Sequence, residues 1–383
     1  MSNEVKRQYL DRIRERYKKA TKRQKTLILD EFCKVCELTR KHAIKLLNEQ
    51  PLTVPPRPGP KLIYAAEIEN HIVKIWRAMN RMCSKKMVAA MPLWLEYYYG
   101  ITPDERRLLL KISSATIDRI LQKHRDETRR GLSGTEPSMI KNKIPLKLLE
   151  DSDLPPGFVE ADTVAHCGTS LAGEFINTLT VTDICSSWTE NRAVWKKESG
   201  TILSAISSIE EALPFKILGF ATDNGNEFLN HDLHSYFFNR KNRVEFVRRR
   251  PYKKNDNAHV EQKNWTHVRE LFGYERFEVE SQVELMNDIY KRLWNPLWNY
   301  FTPVMKLKSK TRVGGKLIKV YDTPTTPYQR LLNSNTLSEE QIAKLQSEFK
   351  KLNPFELKRE LDEKLKWFFR IAEVRKNALS NAG

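Results

Sequence analysis

An apolar run that ends at a carboxylate is the feature that most constrains the fold of this chain. Residues 217–222 read Ile-Leu-Gly-Phe-Ala-Thr, and Asp223 follows at the start of a glycine-containing turn. An apolar run without polar alternation is typical of a strand covered on both faces, as in a parallel or mixed α/β sheet. The sequence therefore predicts an α/β core in which Asp223 is either a helix cap or part of a site.

The residues around this run alternate between strand and helix patterns over 157–278, which we take as one domain. Strands are predicted at 158–164, 175–183, 188–195 and 216–222, with a helix over 202–213. Within the first strand, Glu160 and Asp162 lie on one face because side chains alternate along a strand. Three early strands, a helix, a further strand and another helix match the start of an RNase H-like fold, a mixed sheet covered by helices.

The net charge of +18 is unevenly distributed along the chain. Residues 1–150 carry 32 Lys and Arg against 17 Asp and Glu, residues 151–237 carry 4 against 13, and residues 238–383 carry 30 against 18. The two basic regions are expected to bind a polyanion such as DNA. The acidic middle region can bind DNA only if divalent metal ions neutralise its charge. Ordinary solvated surface charge is the alternative explanation for this pattern.

Cysteine usage and hydropathy indicate a cytoplasmic protein. The five cysteines are an odd number in a long chain, which favours a reducing compartment over a disulfide framework. The sequence contains no run of about 18 apolar residues, which a membrane-spanning helix would need. Its N-terminus also lacks the apolar core of a secretory signal. Cys33 and Cys36 fall in a predicted helix with only His42 nearby, so core packing is favoured over a zinc site.

The N-terminal region predicts an all-α, DNA-binding segment. Residues 1–50 have the outline of a helix-turn-helix domain, whose second helix enters the major groove and would present Arg40, Lys41 and Lys45. A proline-rich linker follows at 51–62, since proline fixes the backbone and removes donors. The basic residues of this linker are Arg57 and Lys61. The linker is either a plain spacer or an arm that lies in the minor groove of DNA.

A second helical domain with a helix-turn-helix pattern is predicted at 63–130, followed by a linker at 131–156. Thr102 begins one helix with an early proline and first-turn acids, and the paired serines 113–114 can cap the next. That last helix would present to DNA the basic side chains of Arg119, Lys123 and Arg125. Two such units joined by a linker would read two stretches of one DNA site.

A third acid, Glu261, is predicted to complete a site with Asp162 and Asp223. Residues 255–257 can cap a helix that Gly273 closes. The helical spacing of Ala258, Glu261, Trp265, Val268 and Phe272 places Glu261 on the face that packs toward the sheet. An acid on a buried face needs a partner, and a shared metal would supply one.

Three carboxylates make a hard, oxygen-rich site of the kind that Mg²⁺ or Mn²⁺ prefers, and two ions would suit an in-line displacement at phosphorus. Beside it, a basic segment is placed to contact a DNA backbone. The predicted DNA contacts here are Arg248, Arg249, Arg250, Lys253, Lys254 and Lys263. His267, on the same helix, is expected to be a surface histidine.

These segments resemble the core motifs of the DDE transposases of bacterial insertion sequences, members of the retroviral-integrase-like superfamily. The resemblance lies in residues 159–164, in the Asp-Asn-Gly-Asn-Glu-Phe run 223–228 and in residues 251–264. Glu261 follows Asp223 by 38 positions, close to the separation of roughly 35 in that family. The resemblance is firm over residues 157–275. It is only loose over residues 279–383, which are predicted to form helices and a small basic β segment.

The resemblance implies a transposase that binds the terminal inverted repeats of a mobile element. It implies metal-dependent cleavage that frees a 3′ hydroxyl, followed by strand transfer to target DNA, with Asp162, Asp223 and Glu261 holding the metals. It further implies a bacterial, nucleoid-associated location and at least a dimer on DNA. Two alternatives remain open from the residues: a non-catalytic DNA-binding regulator derived from a transposase, and an RNase H-like nuclease without strand transfer.

Overall fold

A computed structural model of the protein describes residues 3–48, 64, 66–124, 154–222, 225, 227–228, 230–248, 258–313 and 316–380. For some of these, including Arg248 and Glu261, only the backbone is described. The chain divides into two compact units, residues 1–63 and 64–383. Within the described ranges, no helix has both the length and the apolar character needed to span a membrane.

Residues 3–48, the described part of the first unit, form a bundle of three helices. They are α1 (Asn3–Lys19), α2 (Lys22–Cys36) and α3 (Arg40–Asn48). Glu37 adopts a left-handed conformation with φ of 57° directly after α2, which ends that helix and turns the chain toward α3. Cys36 is buried with Phe32 in the core, and Cys33 is half-buried against the same cluster.

The sequence places Leu27, Ile28, Phe32 and Val35 at helical spacing within α2, which predicts one apolar stripe, and that stripe is too wide. Ile28 and Phe32 are buried, whereas Leu27 and Val35 are exposed. Leu27 lies one residue before Ile28, and Val35 three after Phe32, so the four positions span more of the helix than one neighbour covers.

A five-stranded mixed sheet forms the centre of the second unit. Its strands are β1 (Phe158–Ala165), β2 (Ile176–Asp183), β3 (Thr189–Trp195), β4 (Gly219–Thr222) and β5 (Glu245–Arg248), in the order β3-β2-β1-β4-β5. The first three strands pair antiparallel, and β4 and β5 run parallel to β1. The predicted mixed α/β core is confirmed, and the strand order and directions are those of an RNase H-like sheet.

The predicted buried strand before Asp223 begins later than expected. Leu218 is exposed, and the strand starts at Gly219, opposite Phe158 of β1. A Cβ at Gly219 would lie 2.4 Å from the Phe158 ring, so only glycine allows β4 this close to β1 at that point.

Helices cover both faces of the sheet and extend the chain beyond it. They include α8 (Ser199–Ala212), α9 (His231–Phe238), α10 (Ala258–Lys263), α11 (Glu270–Phe272), α12 (Gln282–Ile289) and α13 (Asn295–Phe301). Two π-helical stretches, Asn264–Arg269 and Tyr290–Trp294, join α10 to α11 and α12 to α13. A hairpin and three helices complete the chain: β6 (Leu307–Val313), β7 (Lys316–Tyr321), α14 (Pro327–Asn333), α15 (Glu339–Lys350) and α16 (Pro354–Ser380).

The second predicted helical region packs onto this core. Its helices are α4 (Ala66–Ala78), α5 (Ser84–Leu95), α6 (Pro103–Lys111) and α7 (Ser114–Leu121). Thr102 and Ser113 cap α6 and α7, as their sequences predict. The indole nitrogen of Trp94 donates to the carbonyl of Phe301 at 3.1 Å, and these helices share one hydrophobic cluster with the sheet. The region is thus part of the core of the second unit rather than a separate body.

The outer edge of β3 is closed by side-chain amides from the helices beside it. Asn299 accepts from the Thr189 N–H and donates to the Thr189 carbonyl, both at 2.9 Å. Asn287 accepts from the Ala193 N–H at 2.8 Å and donates to its carbonyl at 2.9 Å. Each amide therefore takes the place that a residue of a further strand would occupy.

His166 follows β1 and is fully buried against Phe272 and Phe277. Burial, together with the nearby charge of Arg269, lowers the pKa of His166 from 6.5 to about 3. The folded protein therefore keeps this ring neutral at pH values where the unfolded chain takes up a proton. Its contribution to stability is complete above pH 6.5 and is lost as the pH falls toward 3.

We therefore expect acid to destabilise the wild type more steeply than a His166→Gln variant. The slopes should differ by about 1.4 kcal/mol per pH unit between about pH 6 and about pH 4. Urea unfolding at a series of pH values measures both slopes, with the exposed His231→Gln as the matched control. Equal slopes for wild type and His166→Gln would contradict this account.

Candidate active site

Asp162 lies near the carboxyl end of β1 and is held by two hydrogen bonds. Its Oδ1 accepts from the backbone N–H of Thr163 at 2.8 Å, and its Oδ2 accepts from the side-chain amide of Asn264 at 2.6 Å. Asn264 begins the π-helical stretch after α10. The carboxylate therefore sits between its own strand and the helix that carries Glu261.

The helix runs alongside β1 in the same direction. The Val260 N–H donates to Glu160 at 3.3 Å, and further along Arg269 donates to the Ala165 carbonyl at 3.1 Å. Position 261 follows Val260 directly and precedes Asn264 by three residues. Residues three apart in a helix share a face, so the backbone places position 261 on the face that Asn264 turns toward Asp162.

The chain leaves the sheet toward Asp223 beside the same point. Thr222, the last residue of β4, pairs with Ala161 in parallel register, one residue before Asp162. Asp223 and the side chain of Glu261 lie outside the described residues. Their joint site with Asp162 stays a prediction, and the part of the chain that is described contains no group of three metal-binding side chains.

The donor atoms near Asp162 suit a hard cation. The amide oxygen of Asn264 is buried and has no hydrogen-bond partner among the described residues. Buried oxygens normally find a donor, an ordered water or a cation. With the Asp162 carboxylate it forms an all-oxygen environment, which is the kind that Mg²⁺ or Mn²⁺ prefers. The buried Thr222 hydroxyl does not belong to this environment, because Thr222 pairs with Ala161 and therefore faces the opposite side of the sheet from Asp162.

A second acid, Glu227, is tied to the residue next to Asp162. Its Oε1 accepts from the Thr163 hydroxyl at 2.9 Å and from the Lys197 ammonium at 3.1 Å. Burial raises the pKa of Glu227, but the charge and hydrogen bond of Lys197 outweigh that effect and leave the pKa below its usual value. Glu227 is therefore ionised and fixes the loop that follows Asp223 against β1.

Two predictions for the helix were wrong. Lys263, predicted to contact DNA, is buried, with its ammonium 4.7 Å from the centre of the Trp298 ring, and burial holds its pKa well below the usual value. His267, expected at the surface, is fully buried and lies 2.9 Å from the side-chain oxygen of Asn191. The buried positions Val260, Lys263, His267 and Leu271 recur at steps of three and four, so the face that packs on the sheet lies one residue earlier than the predicted face.

The other predicted DNA contacts are scattered over both units. Arg40, Lys41 and Lys45 are exposed on α3, where Arg40 pairs with Asp30. Arg119 is exposed on α7, whereas Lys123 forms a 2.5 Å ion pair with Glu69 of α4. Arg248 ends β5, with only its backbone described. The remaining predicted contacts lie outside the described residues: Arg57, Lys61, Arg125, Arg249, Arg250, Lys253 and Lys254.

Three residues at this site were not predicted to take part in it. Glu160 holds the helix through Val260, Asn264 orients Asp162, and Glu227 anchors the following loop. Strand alternation places Glu160 on the Asp162 face, and helical spacing places Asn264 near Glu261, so both signals were present in the sequence. The contact of Glu227 joins residues 64 apart, and no local pattern indicates it.

Fold and site together define the class of this protein. It is an α/β protein with an RNase H-like mixed sheet, and a helix that runs alongside its central strand covers the carboxylate of Asp162. It belongs to the family of the uncharacterized protein y4rM of Sinorhizobium fredii (strain NBRC 101917 / NGR234). The two are 34% identical over 335 residues, which cover 84% of this chain and 93% of that protein. No protein-family model matches the chain.

Solved structures similar to part of the chain include two retroviral integrase catalytic cores. The HTLV-2 core in complex with magnesium, in its dimeric form, is 16% identical, with a TM-score of 0.29, over 39% of this chain and 91% of that one. The BIV core is 14% identical, with a TM-score of 0.29, over 47% of this chain and 95% of that one. Because these TM-scores are low, the fold is assigned from the strand order and strand directions of the sheet, not from the similarity to integrase cores.

Proposed function

We propose that this protein is a DDE-type transposase, which binds the terminal inverted repeats of a mobile element and cuts and joins DNA with Asp162, Asp223 and Glu261. The observation that carries the proposal is the contact between Asn264 and Asp162. It sets the helix against β1 so that position 261 shares the face above Asp162, while β4 ends beside the same residue. Two strands and one helix thus converge where the sequence predicts three acids.

The residues of the site have distinct roles in this proposal. The three carboxylates would hold two Mg²⁺ or Mn²⁺ ions, which when bound supply charge stabilisation and activate the attacking oxygen in phosphoryl transfer. Asn264 and the Thr163 N–H fix the orientation of the Asp162 carboxylate. Glu160 anchors the start of α10 through the Val260 N–H, so that the helix and the strand keep their register.

DNA binding would come from the basic surfaces outside the site. The exposed residues Arg40, Lys41 and Lys45 on α3 fit a recognition helix in the major groove. Arg119 on α7 offers a second basic position. Joining two ends of an element requires two active sites, so the working form on DNA would be at least a dimer, holding transposon ends and target together.

Cutting and joining of the element's own ends tests this function. We expect purified protein to cut and join duplexes that carry the sequences flanking its gene when Mg²⁺ or Mn²⁺ is present. A chelator should remove all product but leave binding to those ends intact, since the α3 surface needs no metal. Labelled duplexes, resolved by gel, report both the 3′ cut and the joined strand.

The two alternative functions predict other outcomes. A regulator would bind the same duplexes and give no product with either metal. A nuclease would degrade any duplex and give no joined strand. Either result would overturn the proposal, as would a gene without inverted repeats on its two sides.

A further inference from the structure

An exposed tryptophan lies on the helix above Asp162. Trp265 was expected on the buried face together with Val268 and Phe272, yet 38% of its surface is exposed while those two residues are buried. The buried face of this helix follows Val260, Lys263 and His267, which leaves Trp265 on its outer side. Single exposed aromatic rings are common on protein surfaces, and Trp265 differs from them in the side chains around it and in its place next to Asn264.

Trp265 is part of a small surface of three side chains, which we call the aromatic platform: Trp265, Arg269 and Tyr274. The ring centres of Trp265 and Tyr274 are 6.3 Å apart, and Tyr274 is 43% exposed. The Arg269 guanidinium lies 4.6 Å from the centre of the Tyr274 ring. Arg269 also donates to the carbonyls of Ala165 and Gly273, so the platform is fixed from below.

The platform lies beside the candidate active site. Trp265 directly follows Asn264, which binds Asp162, and Arg269 binds Ala165, three residues beyond Asp162 on β1. Three strand residues span about 10 Å, and bases of a stacked strand follow each other at about 3.4 Å. A strand whose phosphate lay at Asp162 would therefore bring a base within the first three or so nucleotides to the platform.

We propose that the aromatic platform stacks an unpaired base of the DNA strand that is cut at Asp162. This rests on the proposed function and adds a base-binding subsite to it. Two exposed rings offer π-faces to any base, and the fixed guanidinium adds a positive charge that suits a strand carrying phosphates. The subsite would favour frayed or distorted ends, in which a base is already unpaired.

Forked duplexes test the subsite without any chemistry. The probes carry a tail of about four unpaired thymidines, or the same tail built from abasic sugars, because stacking tolerates any base. All proteins carry Asp162→Asn, so that binding alone is measured. We expect the parent to bind the thymidine fork about tenfold more tightly than the abasic fork, as base–aromatic stacking provides.

Three variants of this parent locate the effect. Trp265→Ala should abolish the preference for thymidine, and Trp265→Phe should keep most of it. Trp367→Ala, which removes a 50% exposed tryptophan from α16, should keep all of it. Thermal unfolding of Trp265→Ala, measured in parallel, should show that the variant remains folded, since Trp265 lies outside the two hydrophobic clusters.

The outcomes distinguish the subsite from the function on which it rests. Equal binding of both forks by the parent, or a thymidine preference that survives Trp265→Ala, overturns the platform even if the wild type cuts and joins DNA. Failure of the wild type to cut any DNA overturns the proposed function instead. Loss of self-association in Trp265→Ala, with the thymidine preference intact, would assign the platform to protein contact and overturn the proposal.

Discussion

We expect that replacing Asp162 by asparagine will abolish the proposed metal-dependent cutting and joining of DNA ends, while the proposed affinity for those ends is kept. The substitution preserves the size of the side chain and its acceptor for the Thr163 N–H. It removes the negative charge that a divalent ion requires. The loss of rate should be on the order of 10³-fold or more, because metal stabilisation of the transition state is worth several kcal/mol.

Asp223→Asn and Glu261→Gln should give the same loss, since all three acids are proposed to form one site. Asp232→Asn provides the matched control, because it removes the same charge from the exposed face of α9. Rates of 3′ cleavage and strand transfer on labelled ends, with binding measured in parallel, separate chemistry from recognition. Joining at the wild-type rate by Asp162→Asn or Asp223→Asn would sink the assignment of the site.

Replacing Arg192 by methionine will cause the largest loss of stability expected for a single change away from the site. Arg192 and Glu190 form a 3.0 Å ion pair on β3, with side chains only 4% and 7% exposed. Arg192 also donates to Ser208 of α8. Burial raises the pKa of Glu190, and Arg192 opposes that rise.

Without Arg192, the Glu190 charge would be left buried with neutral partners, the Trp188 indole and the Asn295 amide. Breaking a buried pair on one side costs about 3–5 kcal/mol. Urea unfolding followed by tryptophan fluorescence measures the change. The control is Arg292→Met, whose side chain is 69% exposed beside Asp288, and which should cost less than about 1 kcal/mol.

A double variant tests the cause of that loss. Glu190→Leu combined with Arg192→Met removes both charges, and well-packed apolar residues often replace a buried pair without cost. The double variant should therefore recover most of the stability that Arg192→Met loses. A double variant as unstable as the single one would mean that packing against Ser208, not the unpaired charge, sets the effect.

Much of the core could be predicted because its signals are local. The buried runs and β-branched residues of β1, β2 and β3 predict strands wherever they stand, and the stripe of Ile202, Ile206 and Ile209 predicts α8. The carboxylate after a buried strand likewise needs only its neighbours to be recognised. These features follow from the side-chain repeat of two residues in a strand and of 3.6 residues in a helix, and the sheet and α8 have these repeats.

The rest could not be predicted from spacing alone. The buried face of the helix that carries Glu261 lies one residue earlier than its apolar residues indicated, so Trp265 is exposed and His267 is buried. Lys263 illustrates a second limit, because a long aliphatic stem lets a charged residue occupy an aromatic pocket that only tertiary packing creates. Contacts between distant segments, such as Thr163 with Glu227, have no local pattern at all.

The amides that close β3 also bear on how copies of the protein can assemble. The backbone groups of Thr189 and Ala193 are already hydrogen-bonded to the side chains of Asn299 and Asn287. A strand of a neighbouring chain therefore cannot hydrogen-bond to these two residues. The proposed pair of copies acting on two DNA ends would therefore not join by strand pairing at Thr189 and Ala193. Replacing both asparagines would leave the backbone groups of Thr189 and Ala193 unpaired. We expect such a variant to aggregate through strand pairing between copies.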